Sequence, residues 1–320
     1  MNQLGVTLIA IFCSFFLSHL SMAMAAKGEI PERVVRQARI EIWKVLSQDN
    51  ASSAAVAIMA EGKVVYAERF GMRSREETLP ADSTTQYNIG SVSKIFTAAA
   101  VLTLVDQGKV ELDRPVRDYL EDFFPDDELY RKITVRMLLN HSSGLPGTNF
   151  YNGFGARRNP DYVVQTLSYL KSNGLKHQPG QISVYCNDGF TVAQALIERV
   201  SGMSYAAYLQ KTFFTPLAMD RSSCFFLEGD ENIAHVYQEN GSPLPPEYVS
   251  ALATGGISST AEDLCRFSTV VFDANLLSPK SLAEFTEPQF APDTAVGEKP
   301  LLPFGLGWDC LLYTSPSPRD

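Results

Sequence analysis

Ser91 and Lys94 stand three residues apart, directly after Gly90 and at the head of a long apolar run. On a helix that spacing puts two side chains on one face, about one turn apart, so the lysine amine can reach the serine hydroxyl. Serine is a poor nucleophile at neutral pH until an adjacent base takes its proton. A lysine can be that base only where burial or neighbouring cations lower its pKa. The S-x-x-K spacing therefore points to acyl transfer through a serine ester. Further along, Tyr185-Cys186-Asn187 offers two more groups. A tyrosine hydroxyl facing the pair could relay a proton between nucleophile and leaving group. An asparagine amide, both donor and acceptor, could hold a substrate amide. Alone, the Y-x-N spacing is weak: Tyr248-Val249-Ser250 is a look-alike, and a tyrosine in a buried loop is more often structural.

Context separates the first serine–lysine pair from a second, Ser168-Tyr169-Leu170-Lys171. The second lies within 161–173, where Val163, Val164, Leu167 and Leu170 predict the buried stripe of an amphipathic surface helix. Ser91 instead opens Ile95 to Val105, a helix that stops at Asp106-Gln107-Gly108. The plainer reading of Ser91 is a helix cap. Upstream, Pro31 opens a predicted helix to about Gln48, with Val34, Val35, Ala38, Ile42, Val45 and Leu46 as its apolar face. Ser53–Met59 and Lys63–Ala67 flank Glu61-Gly62 and predict a β-hairpin. Helices are predicted near Asn187–Val200, Tyr205–Phe213 and Ala261–Phe272, with breaks at Gly202 and Gly255-Gly256. Strands followed by a helical block predict an α/β sheet domain beside an all-α region.

The 320 residues carry a net charge of −9, with 45% hydrophobic and 20% charged residues, an ordinary globular composition. That balance argues against a nucleic-acid partner. Residues 1–25 hold no Lys or Arg, contain Leu8–Phe12 and Phe15–Leu17, and end in Ala23-Met24-Ala25. They read as a secretory signal peptide and predict a secreted or periplasmic protein with no stable membrane span after cleavage; an uncleaved anchor is the alternative. Of five cysteines, Cys186, Cys224 and Cys265 lie outside the two ends, too sparse for a disulfide framework, although one bridge stays open. No C-x-x-C, H-E-x-x-H, G-x-G-x-x-G or P-loop occurs, so neither a metal nor a cofactor is expected. Residues 310–320, Cys310 to Asp320, match one frame of a common transposase sequencing adapter and are expected not to be native.

Four ordered runs complete the reading: Ser91-Val92-Ser93-Lys94, His141-Ser142-Ser143-Gly144-Leu145-Pro146-Gly147, Tyr185-Cys186-Asn187 and Gly255-Gly256-Ile257-Ser258-Ser259-Thr260. In order and spacing they resemble the serine β-lactamase-like superfamily. The likeness is greatest to its class C branch of β-lactamases, D-Ala-D-Ala carboxypeptidases, D-aminopeptidases and esterases. The resemblance runs from about Pro31 to Asp309. It implies an α/β fold in which an antiparallel sheet is flanked by helices beside an all-α region. It also implies that Ser91 is the acylated nucleophile, that Lys94 helps deprotonate it, and that Tyr185 shares the base role and shuttles the proton. Asn187 would orient substrate and Lys94, and the Ser91 N–H would form half of an oxyanion hole. His141 is expected to pack structurally beside the site.

The family's third motif, K-S/T-G or H-x-G on a neighbouring strand, occurs nowhere in the sequence, whereas Phe304-Gly305-Leu306-Gly307-Trp308 resembles the strand that precedes it. The expectation is a domain over 26–309 that is incomplete at its C-terminus, lacks its closing strands and helix, leaves a hairpin edge unpaired, and is inactive as written. The leading functional expectation is an exported serine hydrolase acting on an amide, peptide, β-lactam or ester bond. Its partners would be small-molecule or peptide substrates, cell-wall peptide among them. The alternative is a non-catalytic extracytoplasmic binding or sensing module.

Overall fold

The computed structural model describes residues 30–308, except 123–124, 126, 150–151, 227–229, 246, 272–275, 290–294, 297–298 and 301–303. The expected signal peptide and the tail 310–320 lie outside the described residues. The chain divides into two compact units.

One unit takes the chain up to Ile89 together with Phe214–Glu247 and Ser258–Thr269. Helix α1, Glu32–Gln48, presents the predicted stripe: Leu46 is buried and Val34, Val35, Ala38, Ile42 and Val45 are half-buried. Trp43, more than half exposed, still sets its ring edge-on against Phe70 at 5.9 Å. Strands β1, Ser53–Ala60, and β2, Lys63–Ser74, pair antiparallel from Ser53 opposite Gly71 to Ala60 opposite Lys63, with a bulge at Ile58/Met59. Glu61 and Gly62 both hold positive φ, 50° and 74°, the conformation a two-residue hairpin needs to match strand twist. The second strand runs past the predicted Ala67 because Met72 and Ser74 pair with β3, Leu79–Pro80. Helix α8, Ala261–Ser268, is capped by the Thr260 hydroxyl and packs on β1 and β2, where Arg69 and Glu262 form an ion pair. A second small sheet orders β4, Tyr87–Asn88, then β6, Ile257–Ser259, then β5, Ser223–Cys224. The architecture is antiparallel sheet flanked by helices, as expected.

The other unit takes Gly90–Phe213, Tyr248–Ile257 and the chain from Val270. Its axis is α2, Ser93–Asp106, buried on nearly all sides from Ser93 to Leu104. A helix apolar all round can only sit inside a core. The same unit holds α3, Val135–Leu139, α4, Tyr162–Lys171, α5, Asn187–Ser201, α6, Tyr205–Leu209, α7, Leu252–Gly255, and α9, Pro279–Thr286, of which α5, α6, α7 and α9 pack on α2. Helix α5 packs against α2, α3, α4, α6 and α7. Its end is set by Gly202 in the left-handed conformation at φ 70°, which glycine adopts without steric cost.

Two predicted details change. In α4 the buried positions are Tyr162, Thr166 and Leu170, whereas Val164 is exposed. The Tyr162 hydroxyl donates to Asn149 O at 2.7 Å, and that anchor turns the helix so that Val164 faces out. The helix predicted to Phe213 stops at Leu209 and widens into a π-type turn over Gln210–Phe214. Tyr208, Leu209, Phe213 and Phe214 are all buried. Their spacing of five aligns on one face only in the wider turn.

Candidate active site

Gly90, with φ 50°, leads into a 3₁₀ turn over Gly90–Val92 that feeds α2. Ser91 therefore sits exposed on a tight turn, and Val92, not Ser91, occupies the N-cap position of α2, without a side-chain cap bond. The Ser91 hydroxyl points elsewhere. Its Oγ is 3.1 Å from Lys94 Nζ and 2.6 Å from the Tyr185 hydroxyl. Lys94 is only 1% exposed, and its ammonium donates to the Thr254 carbonyl at 2.8 Å. The amine lies 4.8 Å from the Tyr185 ring centroid and 5.5 Å from that of Phe190. Holding charge in such a place costs free energy.

The loop that supplies Thr254 O is itself held to α2. Ser93 Oγ accepts from the Ile257 N–H at 3.1 Å, and Thr97 Oγ1 donates to Ala253 O at 2.8 Å. Gly256 has no room for a side chain: a Cβ there would lie 2.6 Å from Val249 O. Gly307, at φ 78°, fills a similar slot: a Cβ there would lie 2.7 Å from Lys94 O, and its N–H donates to Leu139 O at 2.9 Å.

Tyr185 is gripped by His141. The imidazole stacks on the Tyr185 ring, with centroids 4.7 Å apart and planes 26° from parallel. His141 Nδ1 accepts from the Cys186 N–H at 2.9 Å, and His141 O accepts from the Val184 N–H at 2.9 Å. Both peptide neighbours of Tyr185 are thereby fixed. Phe190 and Phe304 close around the imidazole, with centroids at 5.2 and 4.7 Å. Burial, reinforced by the positive charge of Lys94, pushes the His141 pKa down to about 3, so the ring is neutral at physiological pH. Because Nδ1 accepts, the proton of the neutral ring sits on Nε2.

Asn187 opens α5, and its Nδ2 donates to Thr148 Oγ1 at 3.0 Å. The next residue, Asp188, is fully buried and accepts from the Gly147 and Asn149 N–H groups at 3.1 and 2.8 Å. Burial pushes the Asp188 carboxyl up, opposed by those two donors. The structure thus brings Ser91, Lys94 and Tyr185 into mutual contact, with Asn187 two residues from Tyr185. Sequence reasoning missed Thr254, Thr148 and Asp188. Thr254 contributes a backbone carbonyl, which no residue type announces. An acid in a first helical turn is ordinary and signals nothing further by itself.

Cys186 and Cys265 are free thiols, Cys186 being buried. Among the described residues no group of three or more His, Cys, Asp or Glu side chains is placed to hold a metal ion. The second serine–lysine pair, Ser168 and Lys171, lies at the end of α4, where Ser168 is exposed. Chemically, the first pair can do what the second cannot: an exposed hydroxyl faces both a buried amine and a phenol, so its proton has two destinations.

A protein-family model described as Beta-lactamase matches residues 32–317. The chain is similar to penicillin-binding protein 4* of Bacillus subtilis, 26% identical over 297 residues, covering 86% of this chain and 63% of that protein. It is also similar to penicillin-binding protein 4 of Amycolatopsis lactamdurans, 27% identical, covering 71% of this chain and 61% of the relative. Among solved structures it resembles the octameric penicillin-binding protein homologue from Pyrococcus abyssi. There the TM-score is 0.72 and the identity 27%, with 85% of this chain and 64% of the other covered. The chain thus spans about six-tenths of the length of the relatives it matches.

Proposed function

The chain belongs to the beta-lactamase family, and from that premise we propose that it is a serine hydrolase working through an acyl-enzyme on Ser91. The observation that carries this reading is the three-way contact of the Ser91 hydroxyl with Lys94 Nζ at 3.1 Å and the Tyr185 hydroxyl at 2.6 Å. A neutral Lys94 amine has two protons and one lone pair. With one proton committed to Thr254 O, the lone pair can turn toward Ser91 Oγ. Ser91 then attacks the substrate carbonyl while its proton passes to Lys94 or Tyr185, and the C–O bond to the serine forms. As the tetrahedral adduct collapses, Tyr185 returns the proton to the departing amine or alcohol. Water, deprotonated by the same groups, releases the acid and regenerates the Ser91 hydroxyl.

The substrates under this reading carry an amide, peptide, β-lactam or ester bond, and Asn187 binds the part of the acyl group beside the scissile carbonyl. We also propose export, supported by the apolar segment and the Ala23-Met24-Ala25 ending of residues 1–25. No described helix is long and apolar enough to cross a membrane. Covalent labelling of Ser91 by a fluorophosphonate or a β-lactam tests the proposal. The chain spans 63% of its Bacillus relative, so which of these bonds the whole protein cleaves is itself part of the proposal.

A further inference from the structure

Asp188 is a buried carboxylate that the acyl-transfer scheme leaves unused. It occupies the first turn of α5, where the helix N-terminus favours negative charge. Its Oδ2 and Oδ1 accept from the Gly147 and Asn149 N–H groups at 3.1 and 2.8 Å, and its own N–H donates to Gly147 O at 2.9 Å. Asn149 O accepts from the Tyr162 hydroxyl at 2.7 Å. The backbone on both sides of Thr148 is therefore fixed, and Thr148 Oγ1 meets Asn187 Nδ2 at 3.0 Å. Gly147 adopts φ 129°, which a side chain would strain.

This turn is tied to the segment that carries Tyr185. Cys186 is extended, with φ −143° and ψ 103°, and its side chain is buried. Residues on either side of an extended residue face the same way, about 6.6 Å apart. Tyr185 and Asn187 are such a pair, and Tyr185 touches Ser91 Oγ.

We propose that Asp188 is a specificity-positioning residue: by fixing the Gly147–Asn149 turn it holds Thr148 against Asn187, and so selects acyl groups that carry an amide next to the scissile carbonyl. This inference rests on the acyl-enzyme reading. A side-chain amide offers one donor and one acceptor edge, matching a peptide-type amide. A site built to hydrogen-bond such a group discriminates against analogues that lack it, because its own polar atoms are then left unpaired. The discrimination holds only while Asn187 is prevented from rotating, and Thr148 prevents it.

The test uses the complete protein and two p-nitrophenyl esters with the same leaving group. One is the ester of N-benzoylglycine, which has the amide; the other is the ester of butyric acid, which lacks it. The quantity read is the ratio of their kcat/KM values in wild type, Asp188→Asn and Thr148→Val. In Asp188→Asn an NH₂ group faces an N–H that needs an acceptor, so the turn loosens. The expected result is a fall of about tenfold in the amide-to-alkyl ratio in both variants, carried mainly by KM, the size of one lost hydrogen bond. An unchanged ratio, with both rates falling together or neither falling, overturns the proposal. Should Asp188→Asn fail to fold, the half-buried Thr148→Val decides alone by the same criterion. Wild type that hydrolyses neither ester and takes no label on Ser91 sinks the acyl-enzyme reading, and this proposal with it.

Discussion

The hydroxyls of Ser91 and Tyr185 lie 2.6 Å apart although the chain separates them by 94 positions. A 3₁₀ turn exposes one, and a stacked, neutral His141 holds the other from behind. Lys94 completes the contact from beneath, its amine tied to Thr254 O. Under the proposed reading, α2, buried from Ser93 to Leu104 on nearly all sides, serves to orient one nucleophile.

Removing the phenol oxygen alone isolates its part. Tyr185→Phe keeps the ring that stacks on His141 and loses only the hydroxyl that faces Ser91. The expected loss in kcat is about 100- to 10,000-fold, the usual contribution of a positioned proton-transfer group, with substrate binding changed little. Steady-state kinetics on a chromogenic ester check it. A variant that keeps more than half of wild-type kcat would remove Tyr185 from the chemistry.

Lys94→Met replaces the amine with an apolar side chain of similar length. Turnover is expected to fall by at least about 100-fold, while affinity for a non-reacting product analogue stays within about threefold, as judged by calorimetry. Turnover that survives in Lys94→Met contradicts the base assignment. A protein that never turns over yet binds acyl ligands in both forms would favour a binding or sensing module.

His141 makes folding stability depend on pH. Its folded pKa is depressed to about 3, while the unfolded imidazole titrates near 6.5. Between those values the unfolded chain binds a proton that the native chain refuses. Stability from this group is therefore full above about pH 6.5 and falls as pH drops, by up to about 1.4 kcal/mol per unit. Asparagine can still accept from the Cys186 N–H but cannot titrate. Urea unfolding at pH 7 and pH 5 should show wild type losing roughly 2 kcal/mol more than His141→Asn over that interval. Equal losses would count against the assignment.

The Ser91–Lys94 spacing, α1, α2 and the first hairpin are legible because each carries a strong local signal. Glu61-Gly62 specifies its turn, and the apolar run after Lys94 leaves α2 nowhere to go but the core. The α4 stripe was misread because the letters Val163 and Val164 look more apolar than Tyr162, whose hydroxyl finds Asn149 O across a loop. A π-type turn at Gln210–Phe214 needs knowledge of which four aromatic and aliphatic side chains share a face. The motif runs brought Ser91, Lys94, Tyr185 and Asn187 to notice. They also bring His141 to notice, as a residue packed beside the site, and its ring stacks on Tyr185. The other groups that hold them, Thr254 O and Asp188, act through hydrogen bonds at backbone atoms and leave no spacing to read.

The most direct measurement is mass spectrometry of the complete protein after exposure to a fluorophosphonate, with peptide mapping of the adduct. The account predicts one label per chain on the peptide containing Ser91, and none in Ser91→Ala. No adduct from the fluorophosphonate or from a β-lactam, on properly folded protein, would contradict the claim that Ser91 is the nucleophile.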